Sequence, residues 1–289
     1  MAASQSIAKL FNQLDSGEKT KKYLVQQSQL IAEELGHLKG SIMKAGQMLA
    51  LYGEHFLPPE ALKVLKTLQG DTPPVHWSQI EKILLQELGH EKLEQLVIEN
   101  ESLASASLGQ VHRATIKSSG ESIVLKVQYP NLQKVISSDL ITIKRLLRLF
   151  DLLPKEGKFD ELFSEVKEML IRELDYEKEL NSLTAMKNLI GDDPRYILPT
   201  PYANFSTKKV LAMSYEPGLN LDSDEVKNFN QERRNRIAQS FLELYFRELF
   251  EFRFMQTDPH LGNYRLRINH SGCDSLILYD YGAMKKISE

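Results

Sequence analysis

One cysteine, Cys273, and one tryptophan, Trp77, stand in 289 residues. A single thiol excludes an intrachain disulfide and a thiolate zinc cluster, and it fits a reducing compartment. Neither sign of charge dominates, because 36 Lys+Arg against 39 Asp+Glu leave a formal net charge of -3. That balance argues against a chain whose work is holding nucleic acid, since such affinity rests on basic side chains neutralising phosphates. No apolar run approaches the roughly 18 residues that a membrane span needs. The start, Met1 to Ser6, lacks a basic segment followed by an apolar stretch, so it reads as an unprocessed, cytoplasmic start. What remains is ordinary globular composition, 42% hydrophobic and 26% charged, long enough for about two domains.

Apolar residues Leu24, Ile31, Leu35, Leu38, Ile42, Ala45 and Leu49 fall at helical steps, which predicts an amphipathic helix or helix pair over 21–51. Gly36, Gly40 and Gly46 inside it predict breaks or close packing. Pro58-Pro59 and Pro73-Pro74 punctuate further helices, one over Trp77 to Leu88. Residues 1–95 therefore read as a helical extension. From Leu96 the pattern changes to short β-branched runs, Gln110 to Ile116 and Ser122 to Val127 about a turn at Ser118-Ser119-Gly120. A long amphipathic helix is predicted from Leu140 to about Leu189, interrupted at Pro154 to Gly157, then strands at 196–198 and 209–213. These elements form a mixed unit over 96–216. Pro217-Gly218 breaks the chain, and 217–289 carries a helix over Asn230 to Phe252 and two strands around Ser271-Gly272. The fold class predicted is α+β, without internal repeats.

Asp258-Pro259-His260-Leu261-Gly262-Asn263, followed by Asp280-Tyr281-Gly282, offers two carboxylates and an amide to one phosphate-metal site. Magnesium favours such hard oxygens together with substrate phosphates. Lys126 interrupts the apolar strand Ile123-Val124-Leu125 and calls for an anion, either nucleotide phosphates or a carboxylate on a neighbouring helix. Ala104-Ser105-Ala106-Ser107, before Gly109, is a small-residue loop that lets backbone N–H groups approach phosphates. On the long helix Asp175 and Glu179 share a face, whereas Glu173 is turned from Asp175 by roughly 200°. Each feature taken singly also has an ordinary explanation: an Asp-Pro turn, a snorkelling lysine, a packed small-residue turn or a solvated acidic face. Their order along the chain is that of a protein-kinase-like fold.

The chain resembles the UbiB/AarF-type atypical kinases, also called the ADCK group, over essentially its whole length. Lys44-Ala45-Gly46-Gln47 matches that family's K-x-G-Q motif, which ordinary protein kinases lack. Ala104 to Ser107 looks like its alanine-rich loop, Lys126 its nucleotide lysine, and Glu173-Leu174-Asp175 its E-x-D motif. Asp258 with Asn263 matches the catalytic loop, and Asp280-Tyr281-Gly282 takes the place of the metal-binding motif, with Tyr281 for the usual Phe. The resemblance implies a bilobal kinase-like fold, ATP or ADP with Mg2+ as cofactors, and Asn263 and Asp280 as metal ligands. It implies Lys126, Asp258 and Lys44 as catalytic residues, with Gln47, Met213 and Tyr215 joining Ala104 to Ser107 around the nucleotide. Lys44 is expected to meet Glu173, and Lys126 to pair with Glu179, with Glu173 as the alternative.

The implied activity is that of an ATPase or small-molecule kinase supporting ubiquinone and isoprenoid-lipid metabolism. Partners implied are the nucleotide, lipids or quinone-pathway enzymes, a membrane surface touched peripherally, and a second copy of the chain. Two other readings are a non-catalytic, nucleotide-responsive scaffold and an aminoglycoside- or choline-kinase-like phosphotransferase; the latter leaves Lys44 to Gln47 unexplained. Because Glu289 follows Gly282 so closely, the carboxy-terminal lobe is expected to be incomplete. The face Phe241, Leu244, Tyr245 and Leu249 is then expected to be partly exposed.

Overall fold

The computed structural model describes residues 40–54, 57, 59, 61–62, 65, 74–106, 108–149, 159–258, 260–269 and 273–288. Ser107 and Pro259, and the turn expected around Ser271-Gly272, lie outside the described residues. The chain divides into two compact units. One comprises residues 1–75, 104–110 and 128–174, and the other 76–103, 111–127 and 175–289.

The first unit is built on helices. α1 (Gly40–Tyr52) opens it, and after the second unit's α2 (Trp77–Leu93) and three strands come α3 (Leu132–Leu149) and α4 (Phe159–Arg172). Ala45 and Leu49 of α1, Ile136, Leu140, Ile143 and Leu147 of α3, and Leu162, Val166 and Leu170 of α4 share one buried core. In each helix these residues recur every three or four positions, so a single apolar face per helix suffices to close it.

The second unit holds most of a four-stranded sheet in the order β1-β2-β3-β5: β1 (Leu96–Ala106), β2 (Gly109–Ile116), β3 (Ser122–Gln128) and β5 (Val210–Ser214). α5 (Tyr176–Ile190) and β4 (Tyr196–Ile197) lie between β3 and β5 in sequence. After β5 come β6 (Leu219–Asn220), the short α6 (Asp224–Lys227) and α7 (Gln231–Phe246). The chain then forms β7 (Phe254–Gln256), β8 (Tyr264–Arg267), β9 (Ser275–Leu278) and β10 (Met284–Lys286). A second sheet runs β4-β9-β8-β6, and β7 pairs with β10 as a separate ribbon, aligning Gln256 with Met284. In β9 all four residues are buried, so the hairpin β8-β9 is anchored by its own apolar run.

Two helices differ from the sequence reading. The long helix does not run through Glu173-Leu174-Asp175: α4 stops at Arg172 and α5 starts at Tyr176. The backbone groups there are satisfied elsewhere, because Gln128 Nε2 donates to Leu174 O (2.6 Å) and Tyr176 N–H donates to Lys208 O (3.1 Å). Asp175 has non-helical φ/ψ (-104°, 87°), so its expected helical face-sharing with Glu179 does not arise. The helix from Asn230 becomes a π-helix over Arg247–Glu251, closed by Phe252 N–H donating to Arg247 O (2.7 Å). That wider turn shifts the helical phase only from Arg247 onward. Leu244 is buried, Phe241 packs on the core and Leu249 is half-buried; the exposed residues are Leu242, Tyr245, Phe246 and Phe250. Only Tyr245 of the expected stripe is largely exposed.

Candidate functional site

β3 lies between β2 and β5, and Ile123, Val124, Leu125 and Val127 are all buried. A charge on such a strand must be paired. Lys126 sits opposite Leu211, and its Nζ donates to both oxygens of Glu179, at 2.7 and 3.0 Å. Asp280 Oδ2 lies 3.6 Å from the same nitrogen, and the ring of Tyr176 is 5.1 Å away. Burial disfavours the ammonium, yet Asp280 and Glu179 outweigh it and hold Lys126 well above the ordinary lysine value. Burial pushes the carboxyl of Glu179 up, and the Lys126 ammonium is the chief influence keeping it ionised. The pair therefore stands or falls together.

Asp258 and Asp280 occupy two turns that are fastened to each other. Thr257 N–H donates to Ala283 O (2.9 Å). The Asp258 carbonyl accepts from His260 N–H (2.8 Å) and from Asn263 Nδ2 (2.9 Å). Asp280 Oδ1 accepts from Gly282 N–H (2.9 Å), and a Cβ on Gly282 would stand 3.3 Å from that oxygen, which favours glycine there. Asn263 spends an amide N–H on the Asp258 carbonyl, which leaves Oδ1 as its side-chain acceptor. Among the described residues no group of three or more His, Cys, Asp and Glu side chains is placed to hold a metal. The donors present, the carboxylates of Asp258 and Asp280 and the amide oxygen of Asn263, are hard oxygens of the kind that magnesium combines with phosphate oxygens rather than a full protein cage. They fit a Mg-nucleotide.

Met213 pairs with Val124 across the sheet, and Tyr215 N–H donates to Ser122 O (3.0 Å). Arg113 lies over the Tyr215 ring at 4.0 Å. The linker that follows is held by Glu216, which accepts from Ser214 Oγ (2.7 Å) and Arg267 (2.8 Å), while the Tyr279 hydroxyl donates to its carbonyl.

The second unit thus brings together Lys126, Glu179 and Asp280, and carries Asp258, Asn263, Met213 and Tyr215 as well. Lys44, Gln47, Glu173 and Ala104 to Ala106 belong to the first unit. There Lys44 Nζ lies 3.6 Å from Glu173 Oε1, with both side chains mostly buried; Gln47 is exposed, as are Ala104 and Ser105. Of the two acids weighed for Lys126, Glu179 is therefore its partner, and Glu173 meets Lys44.

Sequence reasoning missed Gln256 and Glu248. Gln256 N–H donates to Glu248 Oε2 (3.1 Å), and Glu248 is buried, its carboxyl pushed up to about 7 by that burial. The signal was an acid four residues after Leu244, on the same helical face. Tyr281 is also buried, and its hydroxyl finds no hydrogen-bond partner among the described residues.

The ABC1 atypical kinase-like domain model matches residues 67–289. Over 261 residues the chain is 34% identical to atypical kinase COQ8B, mitochondrial, of Danio rerio, covering 90% of this chain and 41% of that protein. It is 30% identical to atypical kinase COQ8, mitochondrial, of Saccharomyces cerevisiae, covering 90% and 51%. The chain spans about half the length of these curated relatives. A solved structure of Rv3197 with erythromycin, from Mycobacterium tuberculosis, superposes with a TM-score of 0.61 at 28% identity, covering 93% of this chain and 67% of that one. The fold is protein-kinase-like. Among the described residues no helix is long and apolar enough to cross a membrane. With the family model matching well over half of its length, the chain belongs to the ABC1 atypical kinase-like family, the UbiB/AarF type.

Proposed function

We propose that the second unit binds ATP or ADP with Mg2+, as an ATPase or small-molecule kinase serving ubiquinone and related isoprenoid-lipid metabolism. The observation that carries this reading is Lys126, a buried ammonium shared by Glu179 and Asp280. An ammonium so held is oriented to meet phosphate oxygens without further ordering. Asn263 and Asp280 would hold the metal, which when bound supplies positive charge to the β- and γ-phosphate oxygens. Asp258, its carbonyl tied down by His260 and Asn263, would orient the attacking hydroxyl or water and take its proton. Met213 and Tyr215 would meet the base.

Thermal unfolding with and without Mg-ADP and Mg-ATP tests the reading in wild type, Lys126→Ala and Asp280→Asn. At about 100 times its dissociation constant a ligand stabilises the folded chain by roughly 2.7 kcal/mol. Stabilisation in wild type that is lost in both variants is the expected result; a wild type indifferent to nucleotide overturns it. Phosphate release separates turnover from a nucleotide-responsive scaffold, which would bind without releasing any.

A further inference from the structure

Asp258 and Asp280 lie on two separate turns, joined at the backbone by the β7-β10 register and by Thr257, whose N–H and hydroxyl both donate to Ala283 O (2.9 and 2.7 Å). One side chain reaches both. Gln256 Oε1 accepts from the Asp258 N–H (3.2 Å), and Gln256 Nε2 donates to the Asp280 carbonyl (2.6 Å). The carboxamide is itself immobilised: Gln256 is buried, and its backbone N–H is held by Glu248. With Asn263 on the Asp258 carbonyl, the Asp258 peptide is gripped on both sides.

We infer that Gln256 is a positioning residue, its carboxamide fixing the separation of the Asp258 and Asp280 backbones and so that of their carboxylates around the metal-bound phosphates. The inference rests on the Mg-nucleotide reading above. Its chemistry requires one donor and one acceptor on a single short side chain, because the partners are an N–H on one turn and a C=O on the other. A spacer without those groups fills the volume but leaves two part-buried backbone groups without these partners, and the turns are then joined only at Thr257 and through the β7-β10 ribbon. The nucleotide's contact with Lys126 does not pass through Gln256, so the effect should fall on the metal-dependent part of binding.

The test compares wild type, Gln256→Met and Gln256→His by calorimetric titration with ADP, with and without Mg2+, alongside thermal unfolding of the apo protein. Gln256→Met, similar in length but without the two hydrogen bonds, is expected to raise the Mg2+ concentration for half-maximal enhancement of ADP binding at least about tenfold. Metal-free ADP affinity should stay within about twofold, and apo stability should fall. Gln256→His, with one ring nitrogen to donate and the other to accept, should keep the Mg2+ dependence within about threefold of wild type. Wild-type Mg2+ dependence in Gln256→Met, or equal impairment in both variants, overturns the inference while leaving the Mg-nucleotide reading intact. If wild type binds no Mg-ADP, the reading itself fails and the inference with it. Should Gln256→Met not fold, Gln256→Glu, which loses the donor to Asp280 and adds a negative charge that by itself would favour Mg2+, carries the same expectation of a raised Mg2+ requirement and the same overturning result.

Discussion

The ammonium of Lys126 sits 2.7 Å from one oxygen of Glu179 and 3.0 Å from the other, on a strand whose neighbouring residues are buried. Removing Lys126 leaves Glu179 buried without its partner, and breaking a buried pair in this way costs about 3–5 kcal/mol, whereas replacing both with apolar groups is often neutral. Lys126→Met should therefore destabilise the chain by that order in urea unfolding, and Lys126→Met/Glu179→Leu should recover most of it. Neither variant should bind nucleotide. Equal stability of the single and double variants would show that the pair is not coupled.

Tyr281 carries a buried hydroxyl with no hydrogen-bond partner among the described residues, and burial holds its pKa well above the ordinary tyrosine value. An unsatisfied buried polar group costs about 1–3 kcal/mol. Tyr281→Phe should thus leave stability unchanged or raise it by up to that amount. A clear loss in unfolding free energy would mean that the hydroxyl is satisfied.

Glu248 titrates at about 7 in the folded chain against 4.5 ordinarily, because it is buried with one N–H donor from Gln256 opposing the effect. Between these values the folded protein keeps a proton that the unfolded chain has lost. Its contribution therefore makes stability fall as pH rises from about 4.5 to about 7, by an amount on the order of 3 kcal/mol. Glu248→Gln should remove that part of the slope. Unfolding free energies of both proteins across this window decide, and parallel curves would refute the assignment.

A Cβ added at Gly218 would meet Ile277 Cδ1 at 2.6 Å, Arg265 Cβ at 2.9 Å and the Leu266 carbonyl at 3.1 Å. The linker at this point lies directly on the β8-β9 hairpin, with no room for a methyl group. Gly218→Ala should cost about 1–3 kcal/mol by overpacking, read as a lowered denaturation midpoint. An unchanged midpoint would show that the hairpin yields there.

The strands around Lys126 were legible because β-branched runs bounded by Gly and Ser turns constrain a backbone locally, and the paired β2 and β3 follow from them. The residues Asp258, Asn263 and Asp280 were legible because loop chemistry is carried by residue type and spacing. The break at Glu173 to Asp175 was not: those residues suit a helix, and the helix ends there because Gln128 and Lys208, distant in sequence, take over its backbone groups. Gln256 was missed for the same kind of reason. Nothing local marks a glutamine whose amide reaches a carbonyl 24 residues away.

By itself, then, the sequence determined that the chain is α+β, that a lysine stands in an apolar strand, and that hard oxygen donors close two later turns. Those are properties of residue type and short-range period. Tertiary structure chose between the two acids weighed for Lys126, giving it Glu179 and leaving Glu173 to Lys44 as the resemblance implied. It also decided that Glu248 accepts the backbone N–H of Gln256, a contact between a helix end and a later strand. Pairing of charges and satisfaction of backbone groups are settled between segments, after the segments exist.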